Sequence, residues 1–476
     1  MNQYFFFMRA LLNPQGTENA EVKIEKLVKD KENNPLFTED RPWEVRIDNG
    51  YPNVIYDEKQ KVYRCYYTLI IEDKDCFGVS REERVQRNYC PRDDRITGVA
   101  YAESKDGIHW EKPNLGICKW KGSTSNNLIF VYAHGTGVML DERDSNQERR
   151  YKMVTKIDKP DGTNYMAVSF SQDGIHWINP IPWQEYNPPA DSHNLPFWNE
   201  KEECYMVISR IWRDGIRVAA LSRSKDFIHW EKPREVARGA GFQNQIYSMP
   251  VFYWKNIYLG LASIFHEGDR LEKNFDLVDL QLTYAVNPEK FDFAVFEENI
   301  LDRGSGRYPD GEFDCGCIFA GPPIVDPDGR LWVYYMGGNG CHTNFRETSL
   351  ARASWEADKF AALIPRDKEM KSVVITSRIQ FTGNCLEILA DSLTEAQCLY
   401  MEVEVAPSWN KQGIDKFSFH ESILKPLGDG WYAIRFENGN LEELKGKRVV
   451  LKFRFREAKL WALRGDFHIA EYKFED

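Results

Sequence analysis

Ser104-Lys-Asp-Gly-Ile-His-Trp110, Ser171-Gln-Asp-Gly-Ile-His-Trp177 and Ser224-Lys-Asp-Phe-Ile-His-Trp230 are one heptad written three times, and the first and third run on identically as Trp-Glu-Lys-Pro. Asp-Gly is a tight-turn signal: glycine accepts positive φ at little cost, and the aspartate bonds its own following backbone. The apolar residue and the tryptophan then leave the turn to pack on a neighbouring sheet. Successive tryptophans stand 67 and 53 positions apart. Each heptad therefore closes one small supersecondary module, and the modules repeat.

A second repeat lies between the heptads. Residues 51–57 lead to 62–67, 138–141 to 151–154, 195–199 to 204–208, 249–253 to 257–261, and 318–321 to 330–335. Each pair is two β-rich runs joined by a polar or glycine-containing turn, the pattern of a hairpin. With Val54, Val138, Leu195, Met249 and Ile318 as anchors, five units of roughly 66 residues fill about 40–370. Four short strands per unit around an axis make a propeller. The outer strands of the fourth and fifth units are expected at 284–293 and 351–361, where the heptad has degenerated. Beyond residue 372 the pattern changes. Val449, Leu451, Phe453 and Phe455 alternate with Val450, Lys452, Arg454 and Arg456, the period of a strand with one buried face. Residues 399–405, 431–436 and 467–474 read similarly. The expectation is an all-β chain: a five-bladed β-propeller over 1–370, with an N-terminal strand at 4–12 included in it, followed by a C-terminal β-sandwich over 371–476.

Composition narrows the function. Of 476 residues, 42% are hydrophobic and 28% charged, which describes a folded globular chain. Its 62 basic against 73 acidic residues give a net charge of −11, which disfavours nucleic acid as a partner. No apolar run approaches the ~20 residues of a membrane helix. The apolar start Met1-Asn-Gln-Tyr-Phe-Phe-Phe-Met-Arg9 lacks a basic opening and is broken by Arg9, so the chain is expected in the cytoplasm, or exported with its signal removed. Ten cysteines show no metal-ligand spacing and read as free thiols.

The Ser-x-Asp-Gly-x-x-Trp signature, the five units and the alternating C-terminal strands together resemble the five-bladed propeller glycoside hydrolases, the relatives of families 32, 43, 62, 68 and 117. The stretch from Trp43-Glu44 through Tyr51-Pro-Asn-Val-Ile-Tyr-Asp57 is similar to their first blade, and Leu444 to Trp461 to the last strands of their sandwich. The resemblance implies a glycosidase acting on a carbohydrate, with no cofactor, although some relatives hold a structural cation in the propeller axis, which His342 would approach. The sequence departs from the pattern at Tyr51, where the family places a catalytic aspartate; the nearest carboxylate is Asp48. An Arg-Asp-Pro motif is also absent. A sialidase-like reading would need an arginine triad, for which Arg46 and Arg210 offer two members, and a phosphorylase would need a basic pocket that the sequence does not locate. A non-catalytic carbohydrate-binding propeller is the other alternative.

Glycoside hydrolysis needs two carboxyl groups, one to protonate the leaving oxygen and one to activate water or attack carbon. In a propeller they would lie just before the innermost strands. The first unit offers Arg46, Asp48 and Asn49, the second His134, the third Asp191 and His193, the fourth Gln245 and Tyr247, and the fifth Glu312 and Asp314. Asp48 is expected as base or nucleophile, Glu312 as general acid with Asp314 in reserve, and Asp191 as a stabiliser of the transition state. Arg46, Asn49, His134, His193, Gln245 and Tyr247 are expected to bind sugar hydroxyls. No residue set reads as a metal site. Asp57, Asp106, Asp141, Asp173 and Asp226, and with them His109, His176 and His229, recur with the repeat and are assigned to architecture.

Overall fold

The computed structural model describes residues 1–91, 93–183, 185–391, 401–407 and 412–470. The chain is all-β; among the described residues there is one short α-helix, Arg81–Gln86, and a few 3-10 turns. Among the described residues no helix is long and apolar enough to cross a membrane.

Five successive antiparallel units occupy the first three-quarters of the chain. The first runs Arg46–Asp57, Val62–Glu72, Ile96–Ser104 and Trp110–Glu111; the second Ala133–Leu140, Tyr151–Asp158, Asn164–Ser171 and Ile181–Pro182. The third is Leu195–Asn199, Cys204–Arg213, Ile216–Ser224 and Arg234–Ala237. In the fourth, Asn244–Ser248 and Val251–Trp254 share the partner Ile257–His266, which pairs with Val278–Ala285. In the fifth, Cys317–Ala320 pairs with Leu331–Gly338, and that strand with Thr348–Trp355. The first strands of the first four units touch in succession, that of the fifth touches Ile257–His266 and Val278–Ala285 of the fourth, and that of the first also touches that of the fifth.

The heptads act as turn locks. Gly107 N–H donates to Ser104 Oγ at 2.9 Å, and Asp106 Oδ1 accepts from the amides of Ile108 and His109, both at 2.8 Å. The Asp173 turn repeats this, and so does Asp226, where Phe227 takes the positive φ (67°) that glycine takes in the other two. The exposed His109, His176 and His229 rings each bond the carboxylate of their own turn, at 2.6–2.7 Å. Neighbouring units clasp at these turns: Tyr334 Oη donates to Gly107 O at 3.0 Å, and Tyr66 Oη to Gly174 O at 2.9 Å. A second clasp uses the aspartate ending the first strand. Asp57 accepts both terminal nitrogens of Arg150 (2.8 and 2.7 Å) and the Tyr151 hydroxyl, while Asp141 accepts Tyr205 Oη at 2.7 Å.

The C-terminal strands Ile379–Ala390, Trp431–Phe436 and Leu460–Ile469 pair in one sheet, which continues through Ile379 and Gln380 into Arg448–Phe455 and its partners Ser372–Ile375 and Met401–Ala406. Val449, Leu451, Phe453 and Phe455 are all buried, as their alternation predicts. Residues 399–400 and 471–474, read as strand from the sequence, lie outside the described residues.

Two expectations change here. The N-terminal strand is Asn2–Phe5, and it pairs with Leu460–Ile469 in the C-terminal sheet instead of with the repeats. The fifth unit does not find its last strand within 351–361. Val28–Lys29, arriving from the N-terminus, pairs with Ala353 and Ser354, while Ala361–Pro365 pairs with Ala20–Ile24 and the C-terminal sheet. A two-residue strand carries no periodicity, so its role was invisible in the sequence.

Candidate active site

Asp48 lies early in the first strand of the first unit, where pairing is irregular: the register shifts between Arg46 and Gly50 and again before Asn53. Gly50 and Tyr51 both take positive φ (69° and 46°). Such a bulge re-aims side chains, and a non-glycine residue held in the left-handed region is a feature that clusters at functional sites. Asp48 Oδ1 receives Arg346 Nη2 at 3.1 Å and Arg46 Nε at 3.3 Å. Burial alone would raise its carboxyl, but the charges of Arg346 and Arg46, helped by His342 and His134, hold it well below the usual carboxylate range. Asp48 is therefore a fixed anion.

The surroundings of Asp48 draw on all five units. Asn49 is buried; its Oδ1 accepts Arg346 Nη2 at 2.6 Å and its Nδ2 donates to Tyr51 Oη at 2.7 Å. The Tyr51 ring lies 6.1 Å from the ring of His134 and 5.6 Å from that of His193. Gly137, close beside His134, is required by packing: a Cβ there would sit 1.9 Å from the carbonyl oxygen of Asn194, where the second and third units meet. Burial pushes the His193 imidazole down to about 3, so it is neutral, and its Nε2 bonds Asn53 Oδ1 at 2.9 Å. Tyr247 stacks 4.6 Å from His342, and Arg210 and Arg217 each lie 5.4 Å from its ring centre.

Asp191, at the head of the third unit, is 59% exposed and is bonded by Arg210 Nη2. Its charge and that of Asp48 both reach the hydroxyls of Tyr51 and Tyr247. Burial is the first reason that these phenols are raised, and the two carboxylates add to it. Asp48, Asp191, Arg46, Asn49, His134, His193 and Tyr247 thus form one cluster of neighbouring side chains.

Three expected residues do not join them. Asp314 is buried at 1% exposure and paired with Lys29 Nζ (2.6 Å) and Tyr335 Oη (2.9 Å), so it serves the packing of the fifth unit. Glu312 is exposed and accepts the Ser305 amide at 2.6 Å; among the described residues nothing from the Asp48 cluster bonds to it. The two were expected to share a face as i and i+2 of an extended segment. A turn bond, Cys315 N–H to Glu312 O at 3.0 Å, replaces the extended segment, yet the two carboxylates still converge beside Gly304: a Cβ there would lie 2.5 Å from Asp314 Oδ1 and 2.7 Å from Glu312 Oε2. Gln245 is fully enclosed: Arg217 Nη1 donates to its Oε1, and its own amide donates to Phe242 O and Glu267, all at 2.9 Å. It has no group left for a sugar hydroxyl.

The sequence reading missed Arg346 and Arg217 and gave His342 only a cation. Both nitrogens of the His342 ring are buried without a hydrogen-bond partner, and burial, reinforced by Arg346, pushes its basicity far down. Among the described residues no three His, Cys, Asp or Glu side chains could hold a metal ion.

No family model matches the chain, and no curated protein does. Several of the solved structures that it resembles carry glycoside-hydrolase descriptions. One is described as showing that the GH130 family of mannoside phosphorylases contains glycoside hydrolases that target β-1,2 mannosidic linkages in Candida mannan (16% identity, 71% of this chain and 95% of that one, TM-score 0.47). Another is a glycosyl hydrolase from Bacteroides ovatus (15% identity, 71% and 95%, TM-score 0.46). A third is an N-acetylgalactosamine deacetylase from F. plautii in complex with blood group B trisaccharide (14% identity, 71% and 96%, TM-score 0.43).

Proposed function

We propose that the five units are the blades of a propeller capped by a C-terminal β-sandwich, and that the protein is a carbohydrate-active enzyme cleaving the glycosidic bond of a terminal sugar held in the central hollow. The observation that carries this reading is the pair Asp48 and Asp191, contributed by different units and both felt by the Tyr51 and Tyr247 hydroxyls. Asp48, held ionised by two arginines, is the base or nucleophile. Asp191 is the partner carboxyl: it is open to solvent in the free protein, where the leaving oxygen of a bound sugar would reach it. His134, Asn49 and Tyr247 line the same space and would orient hydroxyls.

The test is turnover on a panel of aryl glycosides and oligosaccharides by the wild type, Asp48→Asn and Asp191→Asn. Each substitution is expected to lower kcat by roughly 10²–10⁴-fold on whichever glycoside is cleaved. Full activity in both variants overturns the assignment. A second reading, a propeller that binds sugar without cleaving it, is favoured by the arginine partners on both carboxylates. It predicts that no glycoside in the panel is cleaved while Asp48→Asn still binds sugar.

A further inference from the structure

Four arginines crowd the Asp48 cluster. Arg46, Arg346 and Arg210 are almost fully buried (side chains 3%, 0% and 3% exposed), and Arg217 is 14% exposed. Asp48 and Asp191 answer the first three, Glu267 pairs with Arg217 Nη1 at 2.6 Å, and Asp276 and Glu39 add their charges against Arg346 and Arg46. Lys156, also buried, bonds Asn187 and the Pro188 carbonyl and feels the charges of Asp191 and Asp158. Arg95 feels Asp48 and is answered by Tyr89 and Asp73. The charges are therefore met, and what stays open is the hydrogen bonding, which is costly to leave unmade in a buried region.

Several donors are unsatisfied. Arg46 Nη1 and the Nε atoms of Arg210, Arg217 and Arg346 are buried without a hydrogen-bond partner, as are both ring nitrogens of His342. Asp48 does not explain this arrangement, because its two arginines already meet on a single oxygen, Oδ1. Arg210 and Arg217 are brought side by side by the hairpin of the third unit, in which Trp212 sits opposite Arg217. Both stack on the Trp212 ring (5.3 and 4.4 Å), and that ring is 46% exposed. Planar guanidinium forks held in place by aromatic faces suit an oxyanion, which accepts several N–H bonds at once.

We infer that this cluster contains an oxyanion subsite, made by Arg210 and Arg217 with Arg46, Arg346 and His342 deeper in, which takes the carboxylate of an acidic sugar or free inorganic phosphate. The inference rests on the reading that a saccharide occupies the hollow, and it names that saccharide's distinguishing group or the anion that accompanies it. It also supplies the arginine set that the sequence did not locate.

The test is calorimetric titration of the full chain with methyl glucuronide and methyl galacturonide, with the matching neutral methyl glucoside and galactoside, and separately with inorganic phosphate. At least one anion is expected to bind, with affinity falling as salt is raised. Arg217→Gln should weaken that anion at least tenfold and Arg217→Lys less so. Arg213→Gln, a change at an exposed arginine paired with Glu235 outside the set, should leave it unchanged. Uronide binding without phosphate binding assigns the subsite to the sugar, and the converse assigns it to phosphate. Absence of anion binding, or binding indifferent to Arg217→Gln in a variant with a wild-type melting curve, overturns the inference. Asp48→Asn separates this inference from the catalytic reading. Removing a negative charge should tighten anion binding severalfold while turnover is lost. Lost turnover without tighter binding defeats only the subsite, and tighter binding with unchanged turnover defeats only the catalytic role.

Discussion

Asp48 and His193 belong to the same cluster, and their environments push them in opposite senses. Asp48 is held ionised by Arg346 and Arg46 against its burial. Its folded value is depressed below the ~3.9 of an unfolded aspartate, so its ion pairs stabilise the fold above that pH and are lost as pH falls further. If Asp48 is the base, kcat/KM keeps its value down to about pH 4, and Arg46→Gln moves the acid limb upward by about one pH unit; a limb that stays in place under this substitution removes Asp48 from that role. His193 sits at about 3 because burial disfavours its cation, whereas the unfolded side chain takes up its proton near 6.5. Its stabilising contribution is present above ~6.5 and drains away as pH falls toward 3. Urea unfolding across that window should therefore show an uptake of about one proton assignable to this residue, and His193→Gln should flatten the slope by about 1.4 kcal/mol per pH unit. The residues that came together, Asp48, Asp191, His134 and Tyr247, were legible because each stands just before or at the start of a unit's first strand. Arg217 and Arg346 were not, because they lie on or beside third strands, and only the packing of the units brings those ends beside Asp48 and Tyr247.

At the scale of the element, the repeated aspartates were correctly read as architecture, and the reason is now specific. Asp57 is buried with Arg150 and Tyr151 across a seam between units; burial is the largest influence on its carboxyl, yet the Arg150 and Tyr151 hydrogen bonds hold it well below the usual range. Removing the two partners of this clasp should have unequal consequences. Tyr151→Phe deletes one bond and should cost about 1–3 kcal/mol. Asp57→Ala strands Arg150, whose side chain is 5% exposed, and should cost about 3–5 kcal/mol. Urea midpoints read at constant m value decide between them, and equal, small losses would mean that the seam is held by its apolar contacts alone. The Glu312 and Asp314 pair belongs to this scale too. A turn bond from Cys315 to Glu312 takes the place of extended chain, and the two carboxylates still meet beside Gly304, away from Asp48.

At the scale of the whole molecule, the N-terminal segment joins parts that the repeats alone leave separate. Asn2–Phe5 extends the C-terminal sheet, Ala20–Ile24 pairs with Ala361–Pro365, and Val28–Lys29 supplies the fifth unit with its fourth strand. Between them Phe5, Phe6, Phe7, Met8 and Leu11 are buried at 4% exposure or less, in a cluster that also contains Leu259 and Leu282 of the fourth unit and Phe453 and Leu463 of the C-terminal strands. At about 1.5–3 kcal/mol for each buried side chain, these five contribute on the order of 10 kcal/mol, comparable to the whole stability of a typical fold. Deletion of residues 1–24 should therefore abolish soluble folded protein instead of shortening it. Phe6→Ala should fold but lose about 3–5 kcal/mol. Because that side chain packs edge-on against Phe453, with ring centres 5.8 Å apart, the loss should appear in the C-terminal strands and the repeats together, as one cooperative transition followed both by tryptophan fluorescence and by far-ultraviolet dichroism. Two separated transitions in Phe6→Ala, with the repeats melting at the wild-type midpoint, would mean that the N-terminal segment merely decorates the C-terminal sheet and that the five units close without it.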